Sequence, residues 1–124
     1  MGGRGAASGA KGGAKILPNA RKAVIARDKL KNYLLNPSKS PDKAKFFRSL
    51  GYNMRSFRRF EADIREEIKT APAVATIINK YGHTVTAYSV TMPLGINKKA
   101  MVVTGWQRDG GASAPRFITA YPDK

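Results

Sequence analysis

The chain has 124 residues, room for one domain with one modest core. Its 23 Lys and Arg against 8 Asp and Glu give a formal charge of +15, far more basic than solubility requires, so the expected partner is polyanionic: nucleic acid, an anionic membrane or an acidic protein. There is no cysteine, which excludes disulfides and cysteine-ligated zinc or iron–sulfur sites, and no apolar run approaches a transmembrane helix or the core of a signal peptide.

Residues 1–15 are Gly/Ala-rich with scattered positive charge and read as a flexible linker leading into a single domain, residues 16–124. A domain entered through such a linker is expected to be one part of a longer protein. Order is expected from Ile16 onward. Ala23-Val-Ile25 is a short apolar run suited to an edge strand or a docked extended segment. Asp28 is placed to cap a helix carrying Leu30, Tyr33 and Leu34 at helical spacing, which Asn36-Pro37 stops. A second helix is bounded by Ser40 as cap, Pro41 in its first turn and Gly51 at its end. A third spans about Met54 to Lys69, with Phe57, Phe60, Ile64 and Ile68 as its apolar stripe. Its acids Glu61, Asp63, Glu66 and Glu67 sit among arginines such as Arg58 and Arg65 and read as i,i+4 ion-pair partners.

Ala71-Pro-Ala73 breaks the helical pattern, and Val74–Tyr81 fits either a short helix or a first strand. His83–Met92 is strongly β-prone, and Pro93–Asn97 has turn chemistry. The last two runs, Met101–Arg108 and Pro115–Pro122, alternate with a period of two across the glycine-rich linker 109–114 and should pair antiparallel. Regular alternation puts Val102, Thr104 and Trp106 on one face, and Phe117, Thr119 and Tyr121 on one face of the next strand. The Thr104 and Thr119 hydroxyls would then lie near each other and near Arg116, a surface suited to a phosphate and a base. Strict parity sets Arg116 opposite Thr119, so the grouping needs a bulge at the strand entrance. Helices followed by an antiparallel meander define an α+β fold with helices on one face of the sheet.

The charge is lopsided. Residues 1–69 hold 17 Lys/Arg against 6 Asp/Glu, and residues 70–124 hold 6 against 2. On RNA or DNA the helix cations would neutralise phosphates and fix orientation without reading sequence. The single histidine, His83, rules out a two-histidine ribonuclease mechanism and speaks against a histidine–metal nuclease. The carboxylate–lysine spacing of a magnesium nuclease, a phosphate-binding glycine loop, a dinucleotide fingerprint and a serine-hydrolase elbow are all missing. What remains is phosphodiester chemistry without metal or cofactor. RNA carries its own nucleophile, the ribose 2′-OH, so positioning, cations and proton carriers suffice. DNA lacks that nucleophile.

The pattern Leu17-Pro-Asn-Ala20, Ala23-Val-Ile25, Lys29-Leu30, Tyr33, Leu35-Asn-Pro37, Lys43-Ala44, Phe47 and Leu50-Gly51 resembles the opening of a bacterial toxin-tip domain family. Tyr81-Gly82, Thr104-Gly-Trp106, Pro115-Arg116, Thr119 and Tyr121 resemble its close. Such domains end polymorphic and contact-dependent growth-inhibition toxins. The resemblance implies a ribonuclease of barnase/colicin anticodon-nuclease architecture, with helices packed on a small twisted antiparallel sheet. It also implies a cognate immunity protein and delivery into a neighbouring cell, where the domain cuts RNA, tRNA foremost, in the cytoplasm. The basic surface makes an acidic immunity protein the expectation, and the lack of a long apolar run makes no membrane anchoring the expectation.

By that resemblance Lys43, Thr104, Arg116, Thr119 and Tyr121 are the catalytic candidates, with Arg116 and Lys43 on the scissile phosphate, the threonines on phosphate or 2′-OH, and Tyr121 as proton donor or base stacker. Lys29, Asn36 and Trp106 are the RNA-binding candidates by the same resemblance, and Lys45 and Arg48 join them as cations of the basic helices. Relatives often carry a histidine after Asn-Pro, where this chain has Ser38-Lys-Ser40, so its His83 lies outside the motif and is an additional candidate. Two rival classes are a non-catalytic basic nucleic-acid-binding module and a toxin acting on a membrane or a protein.

Overall fold

The computed structural model describes residues 15–80, 82–109 and 114–123. The linker expected at residues 1–15 therefore falls almost wholly outside the described residues, as does most of the glycine-rich linker before the last strand. Three helices precede a four-stranded antiparallel sheet of order β1-β2-β3-β4, an α+β fold. The helices are α1 (Arg27–Lys29, continued through Leu30–Leu34), α2 (Pro41–Ser49) and α3 (Phe57–Glu67). The strands are β1 (Ala73–Lys80), β2 (His83–Leu94), β3 (Ala100–Asp109) and β4 (Arg116–Pro122).

Helix α1 begins earlier than its apparent cap. Ala26 holds the cap position, and Asp28 lies inside the first turn, where Asn32 Nδ2 donates to its carboxylate. The helix then widens, with Leu35 N–H donating to Leu30 O over 2.9 Å, an i→i+5 bond. The wider turn brings Leu35 round beside Leu30 and Leu34 into the core and turns Tyr33 outward. Helix α2 starts on Pro41 after Ser40 and ends in a Schellman motif. Tyr52 N–H reaches Phe47 O and Gly51 N–H reaches Arg48 O, both over 2.9 Å, with Gly51 at φ +105°. Asn53 and Ser56 form a reciprocal capping box over Met54–Ser56, a tight turn that leads into α3.

Phe60 and Ile64 of helix α3, and Ile68 at its C-cap, are completely buried. Each such side chain contributes roughly 1.5–3 kcal/mol by leaving water. Phe60 stacks between Phe47 and Tyr52, at centroid distances of 4.9 and 4.7 Å. Glu61 is buried beside them and ties α3 to the N-terminal segment. It accepts from Arg65 Nε at 2.8 Å and from Arg27 Nε at 3.1 Å, while Arg65 also donates to Ala23 O at 2.8 Å. Asp63 pairs with Arg59, and Arg58 lies over the Phe57 ring.

The ambiguous stretch from Val74 is a strand, and β2 runs on through Pro93 to Leu94, so the expected turn moves to residues 95–99. Gly95 is needed there: a Cβ would sit 1.7 Å from Lys98 O. Val90, Met92 and Leu94 of β2 and Val102, Thr104 and Trp106 of β3 face the helices and are buried. The β3–β4 pairing then slips. Gly105 faces Thr119 but Trp106 faces Phe117, so Ile118 is an extra residue in β4. Phe117 and Ala120 consequently both face the core.

Candidate functional site

The bulge at Ile118 decides which side chains of β4 meet. Arg116 pairs with Gln107, Thr119 with Gly105 and Tyr121 with Val103, all on the sheet face opposite Thr104 and Trp106. The expected sharing of a face by Phe117, Thr119 and Tyr121 is corrected: Phe117 turns inward and packs edge-on against Trp106 at 5.4 Å. The irregularity that Arg116 and Thr119 need to share a face is present, two residues beyond the strand entrance rather than at it.

Thr119 meets helix α2. Lys43 Nζ donates to Thr119 Oγ1 over 3.2 Å, joining residues 76 apart in sequence. Lys43, Asp42 and Phe46 of α2 and Tyr121 of β4 line a groove of about 590 Å³, together with Asp123. On the other side of Lys43 stands Tyr33, whose ring centroid is 6.0 Å from Nζ, the outer limit of a cation–π contact. Tyr33 continues into a second groove with Lys29, Asn32 and Ile118. Tyr33 and Tyr121 are 48% and 43% exposed, high values for tyrosine. A cation bonded to a hydroxyl thus has one open aromatic ring 6.0 Å away and shares its groove with another. The local charge is mixed, because Asp42 and Asp123 share the groove with Lys43.

The remaining sequence candidates separate from this group. Thr104 and Trp106 are fully buried on the helix side, at 0% and 1% exposure. Trp106 Nε1 donates to Thr104 Oγ1, which donates to Val90 O, both over 2.8 Å. Neither side chain can meet a solvent-borne RNA in this structure, and the two threonine hydroxyls lie on opposite faces of the sheet. The catalytic reading of Thr104 and the RNA-binding reading of Trp106 are replaced by a buried polar pair that satisfies the indole. Arg116 is exposed, and its Nε pairs with Asp109 at 3.0 Å. Gln107 Nε2 donates to the same carboxylate at 2.9 Å. Asn36 organises the turn after α1, accepting from Ser38 N at 2.9 Å. Lys45 and Arg48 are exposed on α2, and Arg48 lines a groove on the flank away from Lys43. His83 pairs with Lys80 at the β1–β2 hairpin, and its side chain lies outside the described residues.

Sequence reasoning missed Tyr33 and Asp42 as members of the site. Tyr33 was counted with the apolar stripe because α periodicity places it near Leu30. Its outward turn follows from the i→i+5 widening, for which the sequence gives no signal. Tyr52 is a different case. Burial, then its 2.6 Å bond to Asp63, pushes its hydroxyl well above the ordinary tyrosine range, so it serves as a structural donor. Among the described residues no group of three or more His, Cys, Asp or Glu is placed to hold a metal, and no helix is long and apolar enough to cross a membrane.

Fold and site together define a basic α+β domain with a cation–hydroxyl pair and two exposed tyrosines near that cation, at one edge of its sheet. Over residues 16–124 the chain matches the DUF6883 family, described as a domain of unknown function, and it belongs to that family. No curated protein and no solved structure matches it.

Proposed function

We propose that residues 16–124 are the ribonuclease domain of a bacterial toxin, cutting unpaired RNA without a metal or cofactor and held in check by an acidic immunity protein. The observation that carries this reading is the 3.2 Å contact of Lys43 with Thr119, with Tyr33 6.0 Å from the same ammonium and Tyr121 in the same groove as Lys43. The +15 charge supports RNA as the polyanion. Helices followed by an antiparallel meander agree with the barnase/anticodon-nuclease architecture that the toxin-tip resemblance implies.

In this mechanism the tyrosines stack successive unpaired bases, which places the intervening phosphate at Lys43. The ribose 2′-oxygen attacks the adjacent phosphorus, forming the O2′–P bond and breaking the P–O5′ bond. Asp42 takes the 2′ proton, and Tyr121 supplies one to the leaving 5′ oxygen. Lys43 and the Thr119 hydroxyl stabilise the charge that grows on the phosphorane. The products are a 2′,3′-cyclic phosphate and a 5′-hydroxyl, and no water is consumed. Arg116 orients the strand from the start of β4, with its Asp109 ion pair opening on binding.

The test is incubation of purified tRNA and total RNA with residues 16–124 in EDTA. Fragments ending in a 2′,3′-cyclic phosphate are expected, and their appearance without a metal separates this chemistry from a metal-dependent nuclease. Intact RNA at micromolar protein would overturn it. The charge alone equally explains a non-catalytic binding module, and that reading takes over if RNA is bound tightly but not cut. Expression in bacterial cytosol is expected to arrest growth, with relief by an acidic partner protein.

A further inference from the structure

Helix α2 separates two grooves, and the second has the makings of a nucleotide site. On the flank away from Lys43, Arg48 and Arg55 stand over a floor of Leu35, Pro37 and Met54, in a groove of about 420 Å³. That volume lies within the range of small-ligand sites, about 300–1,000 Å³. No carboxylate lines it. Among the described residues neither guanidinium has an ion-pair or side-chain hydrogen-bond partner, although five other cations are paired. The backbone beneath Arg55 is fixed, because Asn53 Oδ1 accepts its N–H at 2.9 Å in the capping box. The Schellman turn fixes the chain just after Arg48. Two uncommitted arginines therefore rise from rigid positions beside an apolar floor.

We propose that this groove binds a second nucleotide of the same RNA strand, its base on Met54 and Pro37 and its phosphate between Arg48 and Arg55. Arginine is suited to this: its planar fork takes phosphate oxygens bidentately. The strand reaches the groove by crossing α2, whose Lys43, Lys45 and Arg48 pass from one flank of the helix to the other. The proposal rests on RNA being the polyanion but not on its being cut.

The probe is an unstructured 2′-O-methyl oligoribonucleotide long enough to cross α2, which offers no free 2′-OH for attack. Its affinity is measured over a range of salt. Arg48→Gln with Arg55→Gln should make the log–log salt slope shallower by about 1.4, since each single-strand phosphate contact contributes about 0.7. Met54→Ala should weaken binding several-fold at unchanged slope, because it removes contact area and no charge. The arginines are exposed, so the double variant should melt like wild type; Met54 packs against the core, so binding of Met54→Ala is measured below its own melting transition. A double variant with the wild-type slope and affinity ends the proposal, whatever the cleavage assay shows. A wild-type protein that binds without cutting, with the slope falling in the double variant, supports the groove while ending the nuclease reading.

Discussion

The two edges of the sheet are finished in opposite ways. Along β4 the edge is covered: Val24 pairs in parallel with Arg116, donating to Pro115 O and accepting from Phe117 N, each over 2.9 Å, and Lys43 reaches Thr119 further on. Along β1 only the start is covered by the described residues, where Ala73 N–H meets Lys15 O at 2.7 Å. Beyond it Val74 and Ile77 are 67% and 72% exposed, and no charge stands from Ala73 to Asn79. Edge strands usually carry charges, proline, a bulge or a covering segment to block pairing with another chain. Here β4 has the bulge and the cover, and those two devices also assemble the candidate site. The bulge aligns Arg116, Thr119 and Tyr121, and the covering helix brings Lys43. Among the described residues β1 has neither, and it carries exposed apolar side chains.

The sharpest way to break this contrast is at the β4 edge. Lys43→Ala should lower RNA cleavage by about two or more orders of magnitude, the scale of one lost charged transition-state contact. Thr119→Val keeps the volume and removes the hydroxyl, so a comparable loss would assign the effect to hydrogen bonding. Equal rates for both variants and wild type, at equal melting temperature, would leave the β4 edge as cover alone. Next in size is the buried pair behind the same strand. Thr104→Val strips the acceptor from Trp106 Nε1 and should destabilise the fold by about 1–3 kcal/mol, the cost of a buried unsatisfied donor. That loss should show in thermal melting, with the cleavage rate of the folded fraction unchanged.

These two threonines show what the sequence could and could not disclose. The order of the helices and of the last three strands, the Gly51 stop and the α3 stripe were readable, because each depends on local propensity or on one periodicity, whereas the stretch from Val74 fitted a helix as well as a strand. Lys43, Thr119 and Tyr121 were singled out by resemblance, and the structure sets Lys43 and Tyr121 in one groove with Thr119 bonded to Lys43. Parity failed in β4, because the bulge at Ile118 depends on pairing with β3 and no local residue announces it. The same failure set Thr104 beside Thr119 on paper and on opposite faces in the fold. Tyr33 was misplaced for a similar reason, since the widened turn serves the burial of Leu35 rather than a local preference.

The exposed tyrosines sharpen the comparison further. Tyr33→Ala and Tyr121→Ala should each weaken binding of single-stranded RNA by about 1–3 kcal/mol, the measured scale of one base–aromatic stack. Binding of duplex RNA should change much less, because paired bases are not free to stack. Equal losses on both forms would mean that the rings pack the protein and do not read unpaired bases.

Glu61 tests the frame that holds α1 against α3 and so sets Tyr33 in place. Burial acts to raise its carboxyl pKa, but the Arg65 and Arg27 guanidinium groups outweigh burial and hold it below the usual carboxylate range. A pKa lowered in the folded state stabilises above the unfolded value, and the contribution fades as pH falls through the folded one. Glu61→Gln should therefore lower stability by about 1 kcal/mol at neutral pH, modest because both arginines are partly solvated. The gap to wild type should close on acidification below about pH 4, the unfolded carboxylate range. A gap independent of pH would point to packing instead of charge.

The smallest effect on the fold is expected at the other edge. Ile77 is on the helix-facing side of β1, yet its exposure shows that the hairpin extends past the helices there. Ile77→Lys forfeits little burial, and lysine fits an extended edge, so stability should change by less than about 0.5 kcal/mol. RNA cleavage should stay at the wild-type rate, because the residue lies three strands away from Thr119 in the sheet order. What should change is self-association. A charge at the centre of an uncharged edge opposes strand-to-strand pairing between copies, so concentrated protein should scatter less light than wild type. If cleavage falls with Ile77→Lys while melting is unaltered, the β1 edge contributes to the reaction, and the division of the sheet into a working edge and a bare one is wrong.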